Sequence, residues 1–334
     1  MNKYQNANTT GDYAYIAIEL NYNKILKHET EVLRDKDQEE LHQMRVGMRR
    51  LRSVISGLAL ALKLPGAAGE KKVGRIAKIL GELRDLDVLE ETLKLQSKVL
   101  TKEEEKKEIQ RALKYLKKKR LAVFKKVEKT IQGSDYKELK ESFQSWLDKP
   151  QYQLPAQWKM QDIVPDLLLP QVSRLLLHQA WLVGTNNREG EITVNNILES
   201  KEVEEILETQ GPLVHDLRKE AKRTRYLMEI FPQFYDEKYK TYLGDVKTIQ
   251  TILGEIQDSF VLGNFLTEVF TQDFRQTMPN LADQLTTNRY NKWQEWQQLQ
   301  QKLLSPQTRQ DFHKTILHPL AANIVAETVT KEEP

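Results

Sequence analysis

Residues 41–53 read LHQMRVGMRRLRS and residues 214–226 read VHDLRKEAKRTRY, so His42, Arg45, Arg49, Arg50 and Arg52 recur as His215, Arg218, Lys222, Arg223 and Arg225 at a constant offset of 173. Carried further, the same offset lays Leu80-Gly81-Glu82-Leu83-Arg84-Asp85 onto Leu253-Gly254-Glu255-Ile256-Gln257-Asp258 without a gap. Two separated blocks in one register mark an internal duplication, and the chain reads as two copies of one unit. That unit is helical. Leu41, Met44, Met48, Leu51, Ile55 and Leu58 return every three or four residues, the helical period, and strand alternation is hard to find.

Helical geometry turns the repeat into a candidate site. At about 100° per residue, His42, Arg45, Arg49 and Arg52 fall within roughly 80° of arc, a stripe about 15 Å long. The apolar positions occupy the adjoining arc and must face the core, so the basic groups stand beside a helix–helix seam. The second copy sets His215, Arg218, Lys222 and Arg225 beside Val214, Leu217, Ala221 and Met228, while Arg50 and Arg223 project to the other side. A solvated charged face normally alternates signs at i,i+4. Here Arg45 and Arg49, like Arg218 and Lys222, stack like charges, each pair unfavourable by a few tenths of a kcal/mol. Arginine also offers planar, bidentate contacts suited to phosphate or carboxylate. An internal alternative is neutralisation by Glu82, Asp85, Asp87, Glu255 and Asp258, and both uses are expected, with some arginines oriented by acids and the rest left for an anion.

No serine, cysteine or metal-ligand partner stands at a motif spacing from His42 or His215, and Walker-type and dinucleotide glycine patterns are missing. A histidine at the edge of such a stripe caps, packs or donates to an anion more often than it does chemistry. Leu-Gly-Glu in both copies reads as a close helix-packing point. Catalysis, a metal and a cofactor are therefore not expected.

Composition agrees with this reading. In 334 residues, 30 % are charged, Gly and Pro number 14 and 11, and there is no cysteine, a mix that suits a helix-rich soluble protein. Disulfides and thiolate chemistry are excluded. The chain shows no basic-then-apolar leader and no apolar run of about 18 residues, so a cytoplasmic chain without a membrane partner is expected. The net charge of +3 hides separated blocks: residues 42–53 carry four arginines and no acid, and Arg111–Lys129 carries nine basic residues against Glu128. Such blocks build a local positive field. Breakers at Leu64-Pro65-Gly66, Gln132-Gly133, Lys149-Pro150, Gly211-Pro212 and Met278-Pro279 divide the chain into helices. The expected organisation is a frayed segment over residues 1–10, a first repeat over 11–149, a proline-rich connector over 150–170, a second repeat over 171–320 with an exposed loop at 184–190, and an acidic tail over 321–334.

The motifs His-x-x-Arg-Val-x-x-Arg-Arg-x-Arg at 42–52, Leu-Gly-Glu-Leu-Arg-Asp-Leu-Asp at 80–87 and His-x-x-Arg-Lys-x-x-Lys-Arg-x-Arg-Tyr at 215–226 resemble the CHAD family, the conserved histidine α-helical domain. The resemblance runs from about residue 11 to 320 and implies a single domain over 1–334: all-α, two helical bundles of about four or more long helices each, related by a pseudo-twofold axis, with a basic groove or pore between them. It implies binding of inorganic polyphosphate, in some members at polyphosphate granules and beside granule-associated proteins. Carried across, the contacts would be His42, Arg45, Arg49, Arg50 and Arg52, then His215, Arg218, Lys219, Lys222, Arg223 and Arg225. Arg75, Lys78, Lys118, Lys119, Arg120 and Lys247 would support them. Two departures, Gln257 in place of Arg84 and a Trp- and Gln-rich stretch near Lys292-Trp293 opposite the basic Lys114–Lys126 segment, predict a site richer in charge on the first half. Some relatives carry a triphosphate-tunnel hydrolase domain; the nearest approach to its Glu-x-Glu-x-Lys start, Ala17-Ile18-Glu19-Leu20-Asn21, lacks the spacing. A monomeric, stand-alone, non-catalytic binding module is expected, with RNA or single-stranded nucleic acid as the alternative ligand of the same groove.

Overall fold

The computed structural model describes residue 4 and residues 7–188 and 191–320. The acidic tail expected at 321–334 lies outside the described residues, as do residues 1–3, 5 and 6 of the segment expected to fray. The chain divides into two compact units, Met1–Ile163 and Val164–Pro334, and among the described residues the fold is all-α apart from one small hairpin.

In the first unit, α1 (Thr10–Arg34), α2 (Gln38–Gly57), α3 (Glu70–Val99), α4 (Glu103–Ile131) and α5 (Ser134–Asp148) follow one another. Residues 7–10 are structured, against the expectation of fraying. Thr9 and Asp12 form a capping box, with Asp12 N–H donating to Thr9 Oγ1 and Thr9 N–H to Asp12 Oδ2, which satisfies donors that a bare helix start leaves open. The periodic residues of α2 are the core: Leu41, Met44, Met48, Leu51 and Ile55 are all buried. They pack on α1 and α3, and Gly47 permits the close approach to α1, since a methyl group there would stand 2.9 Å from Ile25 Cγ1. One arginine of α4 locks the unit: Arg120 donates twice to Asp35, at the α1–α2 corner, and once to the fully buried Asp87 of α3, all at 2.6–2.7 Å.

Residues 150–170 hold a 3-10 turn, Leu154–Gln157, and the start of α6 (Met160–Leu176), and the division into units falls inside that helix. Pro165 and Pro170 lie within α6; each removes a ladder hydrogen bond, and the buried Val164, Leu168, Val172 and Leu175 hold the helix in place. The segment expected as a loop at 184–190 instead enters a hairpin, β1 (Thr185–Arg188) paired antiparallel with β2 (Glu191–Val194), and residues 189 and 190 lie outside the described residues. Gly184 enters it at φ +70°, and a methyl group there would lie 2.7 Å from Trp293 Cζ2, so both backbone and space demand glycine.

The second unit continues with α7 (Ser200–Met228), α8 (Glu237–Phe270), the single turn α9 (Phe274–Thr277), α10 (Pro279–Leu304) and α11 (Pro306–Leu317). Gly211-Pro212 does not break α7, which runs through it. Buried Val203 and Leu207 before the proline and Val214 and Leu217 after it anchor both halves, outweighing the local penalty. The Trp- and Gln-rich stretch of α10 is core: Trp293, Trp296, Gln297 and Gln300 are buried. Trp296 stacks on Trp181 at 4.9 Å, and Gln300 Nε2 donates to the Trp181 and Val183 carbonyls. These residues hold the segment leading into the hairpin, which is why no basic face survives on them.

Candidate polyanion-binding site

Each unit builds its stripe on one helix pair, α2 on α3 in the first and α7 on α8 in the second. His42, Arg45 and Arg49 are half-buried at the seam, as are His215, Arg218 and Lys222. The glycine of each Leu-Gly-Glu block explains the shared pose. A methyl group on Gly81 would stand 3.5 Å from Arg45 Nε and 3.8 Å from Nη2; one on Gly254 would stand 3.2 Å from Arg218 Nε and 3.5 Å from Nη2. Both guanidinium groups therefore rest against bare helix backbone, and the packing point read from the sequence packs an arginine rather than another helix.

The units differ in how their cations are compensated. Arg45 Nη2 lies 3.6 Å from Asp85, and Arg52 sits over Gly74 with its Nε donating to Glu70. Of the acids expected to neutralise the first stripe, Asp85 reaches it, whereas Asp87 belongs to Arg120. In the second unit Glu255 pairs with Lys292 of α10 at 2.9 Å. Arg225 donates to Glu229 and Gln250, Lys219 pairs with Asp216, and Arg223 with Glu220. Glu220 is itself buried and accepts from Gln171 of α6; Gly47 stands at its place in the first unit. Gln257 stands close enough to His215 to influence its imidazole, whereas Arg84 in the first unit pairs with Glu91.

Arg50, Lys78 and Lys247 are exposed and have no carboxylate partner among the described residues. Lys78 shares a face of α3 with Gly74 and Gly81, from their spacing of 100° per residue, and so stands between the seats of Arg52 and Arg45. Lys247 occupies the place of Gly74 in the second unit. Arg75 is exposed within electrostatic reach of Asp135. On α4, Lys118 is exposed and Lys119 half-buried, while the Arg120 guanidinium is committed to Asp35 and Asp87. The sequence reading missed Lys24 and Lys27 of α1. Burial, then Arg50, Arg49 and Lys27, lower the Lys24 ammonium below its usual range against the pull of Glu39. Position 197, at the repeat offset from Lys24, holds isoleucine, so only the packing of α1 on α2 brings these lysines to the stripe.

Both histidines are held below the ordinary imidazole range. Burial is the main cause; Arg84, Arg49 and Arg45 add to it at His42 against Glu39, and Arg218 and Lys219 at His215 against Asp216 and Gln257. A depressed folded value means that their contribution to stability is present above the unfolded value of about 6.5 and is lost as pH falls below it. A bound polyanion reverses the sign, because it favours the imidazolium. Thermal unfolding and binding titrations between pH 8 and about 5 are expected to show the free protein losing stability while polyanion affinity rises. His42→Gln with His215→Gln should flatten the binding profile, and an unchanged profile would place the imidazoles away from the ligand.

The family model described as CHAD domain matches residues 16–267. The crystal structure of the CHAD domain from the plant Ricinus communis is similar at a TM-score of 0.59, with 20 % sequence identity and 94 % of each chain covered. PptA from Streptomyces chartreusis is similar at a TM-score of 0.59 and 12 % identity, over 89 % of this chain and 100 % of that one. At such identities the likeness is one of fold. No curated protein matches the chain.

Proposed function

Because the chain belongs to the CHAD domain family, we propose that it binds inorganic polyphosphate through the basic stripes of its two units, without a chemical step, in the cytoplasm and at polyphosphate granules. The observation that carries this reading is the guanidinium laid over the Leu-Gly-Glu glycine in both units, Arg45 on Gly81 and Arg218 on Gly254. An arginine held against backbone loses little further freedom when it meets a phosphate. Around it stand further cations, Arg49, Arg50, Lys24, Lys27 and Lys78 in the first unit and Lys222, Arg223 and Lys247 in the second. Hydrogen-bond donors and positive charge neutralise phosphate oxygens; they do not by themselves cleave a phosphoanhydride. Nucleic acid fits less well, since base stacking needs exposed aromatic rings among the cations, and Tyr226, the aromatic residue of the stripes, is buried beside Arg225.

Titration with size-graded polyphosphate in competition with RNA tests the proposal. Long chains are expected to bind much more tightly than pyrophosphate, because they engage many cations at once, and to resist displacement by RNA at equal phosphate concentration. Displacement by RNA, or phosphate release by the pure protein, would overturn it.

A further inference from the structure

The solvent face of α4 presents a second positive surface, separate from the stripes. At 100° per residue, Lys114, Lys118, Lys125, Lys126 and Lys129 fall within about 60° either side of one line, and they run about 22 Å along the helix. All five are exposed, and none has a carboxylate partner among the described residues. No acid occupies that arc between Lys114 and Lys129, although Lys114 and Lys118, and Lys125 and Lys129, are like charges at the repulsive i,i+4 spacing. Arg120 projects from the opposite side of the helix to Asp35 and Asp87, so the face is held outward by the ion pair that locks the unit. The stripe arginines mostly have acids beside them; these lysines do not.

The chemistry of the face indicates its partner. It is a convex ridge roughly as wide as a helix, about 10 Å, with cations spread across its width. Tyr115 and Leu121 stand on or beside it, 40 % and 56 % exposed, and these apolar groups gain nothing from a thin hydrophilic chain. A broad anionic surface with an apolar layer beneath its charges uses both features, and four to eight basic residues on a helix suit anionic lipid headgroups. We propose that the α4 ridge rests on the surface of a bilayer containing acidic phospholipids. The contact is peripheral: no helix among the described residues is long and apolar enough to cross a membrane. It is independent of the polyphosphate reading.

The full chain would be floated with phosphatidylcholine vesicles with and without phosphatidylserine, at low and high salt. Binding is expected only with phosphatidylserine, and is lost at high salt. Replacing Lys114, Lys125, Lys126 and Lys129 by glutamine should weaken it by about a hundredfold or more, while thermal stability and polyphosphate affinity stay unchanged. Equal binding to neutral vesicles, no binding to acidic ones, or full binding by the variant would overturn the proposal. So would a variant that keeps its vesicle binding but loses RNA binding, which would make the ridge a nucleic-acid surface.

Discussion

Arg120→Ala is expected to destabilise the first unit by about 3–5 kcal/mol, because it leaves the carboxylates of Asp35 and fully buried Asp87 without their cation. For a unit of this size that corresponds to a fall in Tm of roughly 6–20 °C. The loss should depend on pH in a defined direction. Burial, working against the pull of Arg120, already raises the Asp87 carboxyl above its usual range; removing the guanidinium raises it further. The deficit should therefore be largest near neutrality, where the buried carboxylate is charged, and shrink as acid protonates it. Adding Asp87→Asn to the variant should recover part of the loss at neutral pH. Calorimetry of the single and double variants checks both statements, and a small, pH-independent loss would show that the pair is dispensable.

Removing Arg45, Arg49, Arg218 and Lys222 together, each to glutamine, is expected to lower affinity for long-chain polyphosphate by about a thousandfold or more, from roughly 1 kcal/mol or more for each charge-assisted hydrogen bond. The dependence of affinity on salt should flatten by about four in log–log slope, one for each phosphate that is no longer neutralised. Stability should change little, since the substitutions relieve like-charge neighbours and leave the core face of each helix intact. Affinity that survives, or a slope that stays steep, would show that the ligand is held elsewhere. Restoring the two first-unit residues should recover more than restoring the two of the second. In the first unit Lys24 and Lys27 add charge; in the second, buried Glu220 offsets Arg223.

The sequence suggests the same direction for this expected asymmetry, but through different residues. Gln257 and the Trp-rich stretch of α10 predict a weaker second half from sequence, whereas the expectation drawn from the packing rests on Lys24, Lys27 and Glu220. Glu220 and Gly47 are equivalent positions whose meaning depends on how closely α1 or α6 approaches. The stripe residues themselves were readable because one helix carries each set, and a fixed spacing then gives a fixed face. The hairpin at 185–194 escaped because its strands are four residues each, too short for alternation to register. The continuous α7 escaped because Pro212 is a local signal, and the burial that overrules it is not local.

The sequence by itself determined the helical class, the duplication and which side chains share a face, because period and offset are properties of neighbouring residues along one chain. Only the tertiary structure decided what each charge does. Arg120 lies 85 positions from Asp35 and 33 from Asp87, and Arg289 of α10 lies 85 from Glu204, which it grips at 2.6 and 2.7 Å. No spacing rule joins such partners. How much of a charge is left for a ligand depends on how closely packing has brought an acid to it, and packing depends on every helix at once.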